Sequence, residues 1–153
     1  MHDSLQRASV GVRITAKDPG RISVFARAHR VVMGKGWSFD IAEPEMTGAE
    51  MLMGAVAADV VGLFLTLAKK RRLVVDEVEA TVRAELLDPL VHLGVEGAQG
   101  EPRYGSFSLK AFAGSAAPAA ELQAVWAEAL RRAPLANTLR RAGELEAILQ
   151  IQH

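Results

Sequence analysis

The sequence predicts a single α+β domain over residues 1–153, in which antiparallel sheets are wrapped around one long buried central helix. Two observations predict this class. First, strand-like and helix-like segments are segregated along the chain instead of alternating. Second, residues 51–68 are apolar on every side except for one charge at Asp59. A segment of this kind is typical of a helix that protein or lipid covers all round.

Composition and charge limit the kinds of protein that this chain can be. A length of 153 residues suits one hydrophobic core. Basic and acidic residues number 18 each, and this zero net charge argues against a nucleic acid as partner. The chain has no cysteine, which excludes disulfides, cysteine-ligated metals and thiol catalysis. The N-terminus lacks the apolar core of a signal peptide, so we expect a cytoplasmic protein.

The first third of the chain is predicted to form short strands. Apolar and polar residues alternate over residues 10–15 and 22–26, which is the period of a strand with one buried face. Pro19-Gly20 between them favours a tight turn, so the two segments predict a β-hairpin. The same reasoning predicts strands at residues 31–33 and 37–41 and a loop at residues 42–46.

The apolar stretch predicts a helix with a defined start. Thr47 is a plausible N-cap, and Glu50, three residues later, completes a capping-box pattern. The basic run at residues 69–72 suits the negative end of the helix dipole. A membrane span is the alternative, because the stretch approaches the roughly 20 residues that a bilayer needs. We favour a soluble core helix, covered by sheet and by a second subunit, because Asp59 at mid-span would cost about 2.5–3.5 kcal/mol in lipid.

The second half of the chain predicts two strands, two helical segments and a last strand. The strands are predicted at residues 78–86 and 104–112, joined by a loop rich in glycine. An amphipathic helix begins near Pro118, and its inward stripe is Leu122, Val125, Trp126, Ala129 and Leu130. Pro134 ends this helix and can open a short helical turn through Arg140. Residues 145–151 predict the last strand.

This order of elements resembles the OsmC/Ohr family, the osmotically inducible and organic hydroperoxide resistance proteins. The resemblance covers nearly the whole chain and depends on two segments. Residues 47–59 run from Thr-Gly-Ala-Glu-Met-Leu to Ala-Ala-Asp and are similar to the start of the family's central helix. Residues 133–139, Ala-Pro-Leu-Ala-Asn-Thr-Leu, are similar to the motif that opens with the family's second cysteine. The resemblance implies an intertwined homodimer with sites at the subunit interface.

The resemblance places Asp59 at the position of the family's peroxidatic cysteine and Ala133 at that of the resolving cysteine. The family's reaction needs a thiolate that passes through a sulfenic acid to a disulfide, so we expect no thiol peroxidase activity. The family also uses an arginine from the N-terminal hairpin and a glutamate near the helix start. Arg21 is the candidate for the first. Glu50 is the nearest match to the second but stands one position late.

We therefore expect an OsmC-like homodimer that binds a small, mostly apolar ligand in the former active-site pocket at the dimer interface. The candidate pocket residues are Asp59, Arg21, Glu50, Met51 and Ala133. Two alternatives stay open: an enzyme with Asp59 as general acid or base, and a purely structural or interaction dimer. Asp59 itself is either a structural acid satisfied by an arginine or by backbone donors, a pocket acid, or a tolerated acid that reaches solvent. We expect no cofactor, no metal and no membrane partner, and the four histidines show no metal-ligand spacing.

Overall fold

The computed structural model describes residues 7–39 and 43–153. The chain divides into two compact units, Met1–Met51 and Leu52–His153. The division falls within the long central helix, and each unit is described by itself. That residues 1–153 form one domain stays a prediction.

The N-terminal unit contains a three-stranded antiparallel sheet in the order β1-β2-β3. Its strands are β1 Arg13–Asp18, β2 Arg21–Ala26 and β3 His29–Met33. The β1–β2 turn is closed by Asp18, whose Oδ1 accepts a hydrogen bond from the Gly20 N–H at 3.0 Å. An Asx contact of this kind stabilises a tight turn. The predicted β-hairpin is therefore confirmed.

Two predicted strand segments of this unit are wrong. Residues 10–12 lie outside β1 and are exposed, and residues 37–39 form no strand. Alternation reports which side chains share a face, but a strand also needs a neighbour to pair with. Trp37 and Phe39 instead pack edge to face, with ring centroids 5.1 Å apart. The rest of the strand predicted at residues 37–41, and the start of the loop predicted at residues 42–46, lie outside the described residues.

The central helix, α1, spans Gly48–Lys70 and begins at the predicted capping box. The Glu50 N–H donates to Thr47 Oγ1 at 3.2 Å, and the Thr47 N–H donates to Glu50 Oε2 at 2.7 Å. At the other end Arg72 adopts a left-handed conformation with φ of 58°. The Arg72 N–H donates to the Lys69 carbonyl, and the N–H of the next residue donates to the carbonyl of Ala68. These two bonds form a Schellman motif, which satisfies the last carbonyls of the helix.

The C-terminal unit combines the rest of α1 with a second three-stranded sheet and three more helices. The sheet has the order β4-β5-β6, and its strands are β4 Glu77–Leu87, β5 Arg103–Gly114 and β6 Leu145–Gln152. The helices are α2 Pro89–His92, α3 Ala119–Arg132 and α4 Pro134–Ala142.

The direction of the last strand corrects the prediction of purely antiparallel sheets. β4 pairs antiparallel with β5, whereas β6 pairs parallel with β5. A parallel neighbour needs a long crossover connection, and α3 and α4 lie in the connection between β5 and β6. Side-chain alternation predicted the strand but carries no information about its direction.

One face of this second sheet packs against α1 and α3 to form the main core. Phe64 of α1 and Trp126 of α3 meet edge to face at its centre, with ring centroids 5.6 Å apart. The inner residues of β5 in this core are Leu109, Ala111 and Ala113. The stripe predicted on α3 is confirmed at the four positions that are buried: Leu122, Val125, Trp126 and Ala129.

Helix α1 is buried along one face only. Its buried residues are Val56, Val60, Phe64, Leu67 and Ala68. On the opposite face Leu65 is 40% exposed. The sequence predicted a helix buried on all sides. In the C-terminal unit the sheet and α3 cover one side of α1, so the prediction is met on that side only. Among the described helices α1 alone is long and apolar enough to cross a bilayer, with 28% of its most apolar window buried. A core helix of a soluble protein meets the same criterion.

Candidate functional site

Asp59 lies in the middle of α1, half-buried, and its side chain caps another helix. Its Oδ2 accepts a hydrogen bond from the Leu135 N–H at 2.9 Å. Leu135 is the second residue of α4, whose first residue, Pro134, has no N–H to donate. The residue before the helix, Ala133, has no side-chain acceptor, and α4 has no side-chain cap of its own. A carboxylate from α1 therefore fills the position that a local N-cap residue would otherwise fill.

The arrangement suits a charged acceptor. The first N–H groups of a helix lack partners within the helix, and the helix dipole places partial positive charge there. Within the described residues both ion pairs involve Glu128, one with Arg71 and one with Arg132. Asp59 is thus held by a backbone N–H and a helix terminus, and not by an arginine. Of the roles considered for this acid, the geometry matches the one in which backbone donors satisfy it.

The contact joins the two places at which the resemblance puts the family's cysteines. Asp59 stands at one of them, and Ala133, at the other, is fully buried two residues before the hydrogen-bond donor. The structure therefore brings these two candidates of the sequence analysis together. Asp59 Oδ1 accepts no hydrogen bond from any described residue, and it is the free polar atom of this site.

The other three candidates belong to the N-terminal unit. Arg21 begins β2, is exposed, and pairs across the strands with Asp18. Glu50 uses Oε2 in the capping box, and Met51 is half-buried in the first turns of α1. A role for Arg21 beside Asp59 stays a prediction.

Sequence reasoning missed a cavity of about 320 Å³ in the N-terminal unit. It is lined by Gly36, Trp37, Ser38, Glu43, Glu45, Thr47 and Glu50. Glu43 and Glu45 are close to the capping Glu50 in the sequence, and this group of acidic residues could have indicated the cavity. In the part of the chain that the structure describes, no group of three or more histidine, aspartate or glutamate side chains is placed to hold a metal ion.

Comparison with known proteins gives a match in structure alone. No protein-family model matches the chain, and no curated protein matches its sequence. An OsmC-like protein from Mycoplasma pneumoniae has a TM-score of 0.78 at 11% identity, covering 95% of this chain and 99% of that one. An OsmC-like protein of unknown function from Vibrio cholerae has a TM-score of 0.71 at 14% identity, covering 95% and 100%.

A third solved structure is an organic hydroperoxide resistance protein of Bacillus subtilis, with a TM-score of 0.66 at 13% identity, covering 93% of this chain and 98% of that one. Identities this low show the fold and nothing finer. The fold predicted from the sequence is confirmed over nearly the whole chain. This chain is a protein of the OsmC-like fold that contains no cysteine.

Proposed function

We propose that this protein binds a small, mostly apolar ligand beside Asp59, in a homodimer, and that it has no thiol peroxidase activity. The last part follows from composition, since a chain without cysteine cannot form the thiolate, sulfenic acid and disulfide of that reaction. A carboxylate has no comparable redox chemistry.

The ligand proposal rests on the hydrogen bonding of the Asp59 carboxylate, which uses only one of its two oxygens among the described residues. One oxygen is fixed by the Leu135 N–H, and Oδ1 is left free by the described residues. The neighbours one helical turn away are apolar or small, among them Ala55, Gly62 and Leu63. A Cβ added at Gly62 would meet no heavy atom of the described residues within 4 Å, apart from the adjoining helix backbone. An apolar ligand with one hydroxyl or amine donor fits such a surface, with Oδ1 as its acceptor.

The homodimer is supported by the uncovered side of α1. Gly54, Ala58, Gly62 and Thr66 follow one another at every fourth position, and all four are exposed. Exposed glycine within a helix costs about 0.5–1 kcal/mol relative to alanine. Beyond the adjoining backbone of α1 itself, no heavy atom of the described residues lies within 4 Å of a Cβ added at Gly54 or Gly62. A second copy that covers this side would exclude water from it and would place the ligand between subunits. A cytoplasmic location remains part of the proposal.

The enzyme alternative, with Asp59 as general acid or base, has less support. Such a residue must exchange a proton with a substrate, whereas one oxygen of this carboxylate is already engaged in capping α4.

Native mass spectrometry of gently purified protein tests the proposal. We expect a dimer that carries extra mass, and denaturation should release that mass as a small molecule. Asp59→Ala should lose the extra mass, whereas Glu79→Gln, which also removes one exposed negative charge, should keep it. Protein that is consistently empty, or a stable monomer in sedimentation, would count against the proposal. Turnover of an organic hydroperoxide with a dithiol would contradict the absence of peroxidase activity.

A further inference from the structure

A groove lies at the C-terminal end of α1. Its volume is about 460 Å³, within the range of small-molecule pockets. It is lined by Leu65, Ala68, Lys69, Arg72, Leu73, Val74 and Val75. Asp59 and Ala133 are not among these residues. Lys69 is ten residues from Asp59 along the helix, which corresponds to about 15 Å.

The groove has an apolar floor that water now contacts. Val74 is 71% exposed, although it is a large aliphatic side chain. Five of its seven lining residues are apolar, and none is acidic. A ligand that covers this floor would gain the free energy of removing apolar surface from water.

Two cations lie at the rim of the groove. Lys69 and Arg72 are exposed, and neither forms an ion pair within the described ranges. Their neighbour Arg71 differs, because it is paired with Glu128. Uncompensated positive charge beside an apolar floor is complementary to an anion that carries an apolar chain.

The backbone at Arg72 gives a separate reason to assign a role to its side chain. Its φ of 58° is the left-handed conformation that a Schellman motif requires and that glycine adopts without strain. The two backbone hydrogen bonds of the motif offset this strain, but the arginine side chain contributes nothing to it, since it makes no hydrogen bond to any residue that the structure describes. The carbonyls at this helix end would repel an anion, but those of Leu67, Ala68 and Lys69 already accept hydrogen bonds.

We propose that this groove binds an amphipathic anion, a carboxylate with an unbranched alkyl chain. The carboxylate lies between Lys69 and Arg72, and the chain covers Leu73, Val74 and Val75. This site goes beyond the ligand proposed at Asp59, because it uses different residues, a different part of α1 and the opposite charge.

Calorimetric titration of the full-length protein with decanoate, below its micelle concentration, tests the groove. We expect saturable binding, weaker binding of hexanoate, and none of decyltrimethylammonium, which has the same chain and the opposite charge. Lys69→Gln combined with Arg72→Gly should weaken decanoate binding about tenfold or more. Lys70→Gln removes a cation from the same helix turn that does not line the groove, and it should bind as the wild type does.

Stability separates a binding role from a structural one. Arg72→Gly relieves the left-handed strain, so it should raise the melting temperature while it weakens decanoate binding. Unchanged affinity in the double variant, or no binding of decanoate by the wild type, would overturn the proposal. Loss of decanoate binding in Asp59→Ala alone would assign the anion to the other site and also overturn it. A change of oligomeric state in the double variant would show that a second copy occupies the groove, and this result would also overturn the proposal.

Discussion

Replacing Asp59 with alanine removes the side-chain cap that α1 provides to α4. Loss of an N-cap hydrogen bond costs about 0.5–2 kcal/mol, and loss of a negative charge at a helix N-terminus costs about 0.3–1 kcal/mol. Water can reach this half-buried site and partly replace the lost acceptor at the Leu135 N–H, so the full penalty of a buried unpaired donor does not apply. We therefore expect Asp59→Ala to lower the free energy of unfolding by about 1–2 kcal/mol. Asp59→Asn keeps an oxygen acceptor and should lose less than about 1 kcal/mol.

Urea denaturation at fixed protein concentration measures this loss, because the stability of an oligomer depends on concentration. In a chain of this size the expected change corresponds to a fall of roughly 3–6 °C in melting temperature. Hydrogen exchange gives the local readout, since the Leu135 amide should exchange faster in Asp59→Ala. Asp76→Ala, which removes a carboxylate that bonds to no described residue, is the matched control. If Asp59→Ala unfolds within about 0.5 kcal/mol of the wild type and the Leu135 amide keeps its protection, the capping role is wrong.

Three further substitutions test other parts of the structure. Thr47→Ala removes the acceptor for the Glu50 N–H and should cost about 0.5–2 kcal/mol in thermal denaturation; an unchanged melting temperature would contradict the capping box. Gly100→Ala places a Cβ 2.3 Å from Asp88 Oδ2 at a φ of +133°, so it should destabilise by more than about 1 kcal/mol, and a neutral effect would show that the loop backbone differs. Phe64→Ala empties a fully buried site and should cost about 3–5 kcal/mol in urea denaturation, whereas a loss below about 1 kcal/mol would place this ring outside the core.

The parts of the fold that were predicted correctly are those that depend on residues close together in the sequence. The capping box needs only Thr47 and Glu50, three positions apart, and both of its hydrogen bonds are present. The α3 stripe and the helix start at Pro134 are equally local. By contrast, the strand predicted at residues 37–41 failed at its described positions, because a strand depends on a partner elsewhere in the chain.

Of the five candidate pocket residues the structure brings two close together, and that they form a ligand site stays a prediction. The resemblance identified Asp59 and Ala133, and the structure brings the Asp59 carboxylate to the segment that follows Ala133. Donor and acceptor are 76 positions apart in the sequence, so no local pattern could indicate this contact. The groove at Lys69 and Arg72 was missed for a similar reason. The basic run predicted only a helix end whose dipole it complements, whereas the groove depends on how the chain turns after that end.

The link between α1 and α4 has a consequence for the conditions under which this protein works. A disulfide between two cysteines breaks when a reductant is added and forms under oxidants, so the geometry around it depends on the redox conditions. The contact between Asp59 and the first turn of α4 is a hydrogen bond and contains no sulfur. Dithiothreitol therefore finds no disulfide to break there, and a disulfide oxidant finds no thiol pair to join.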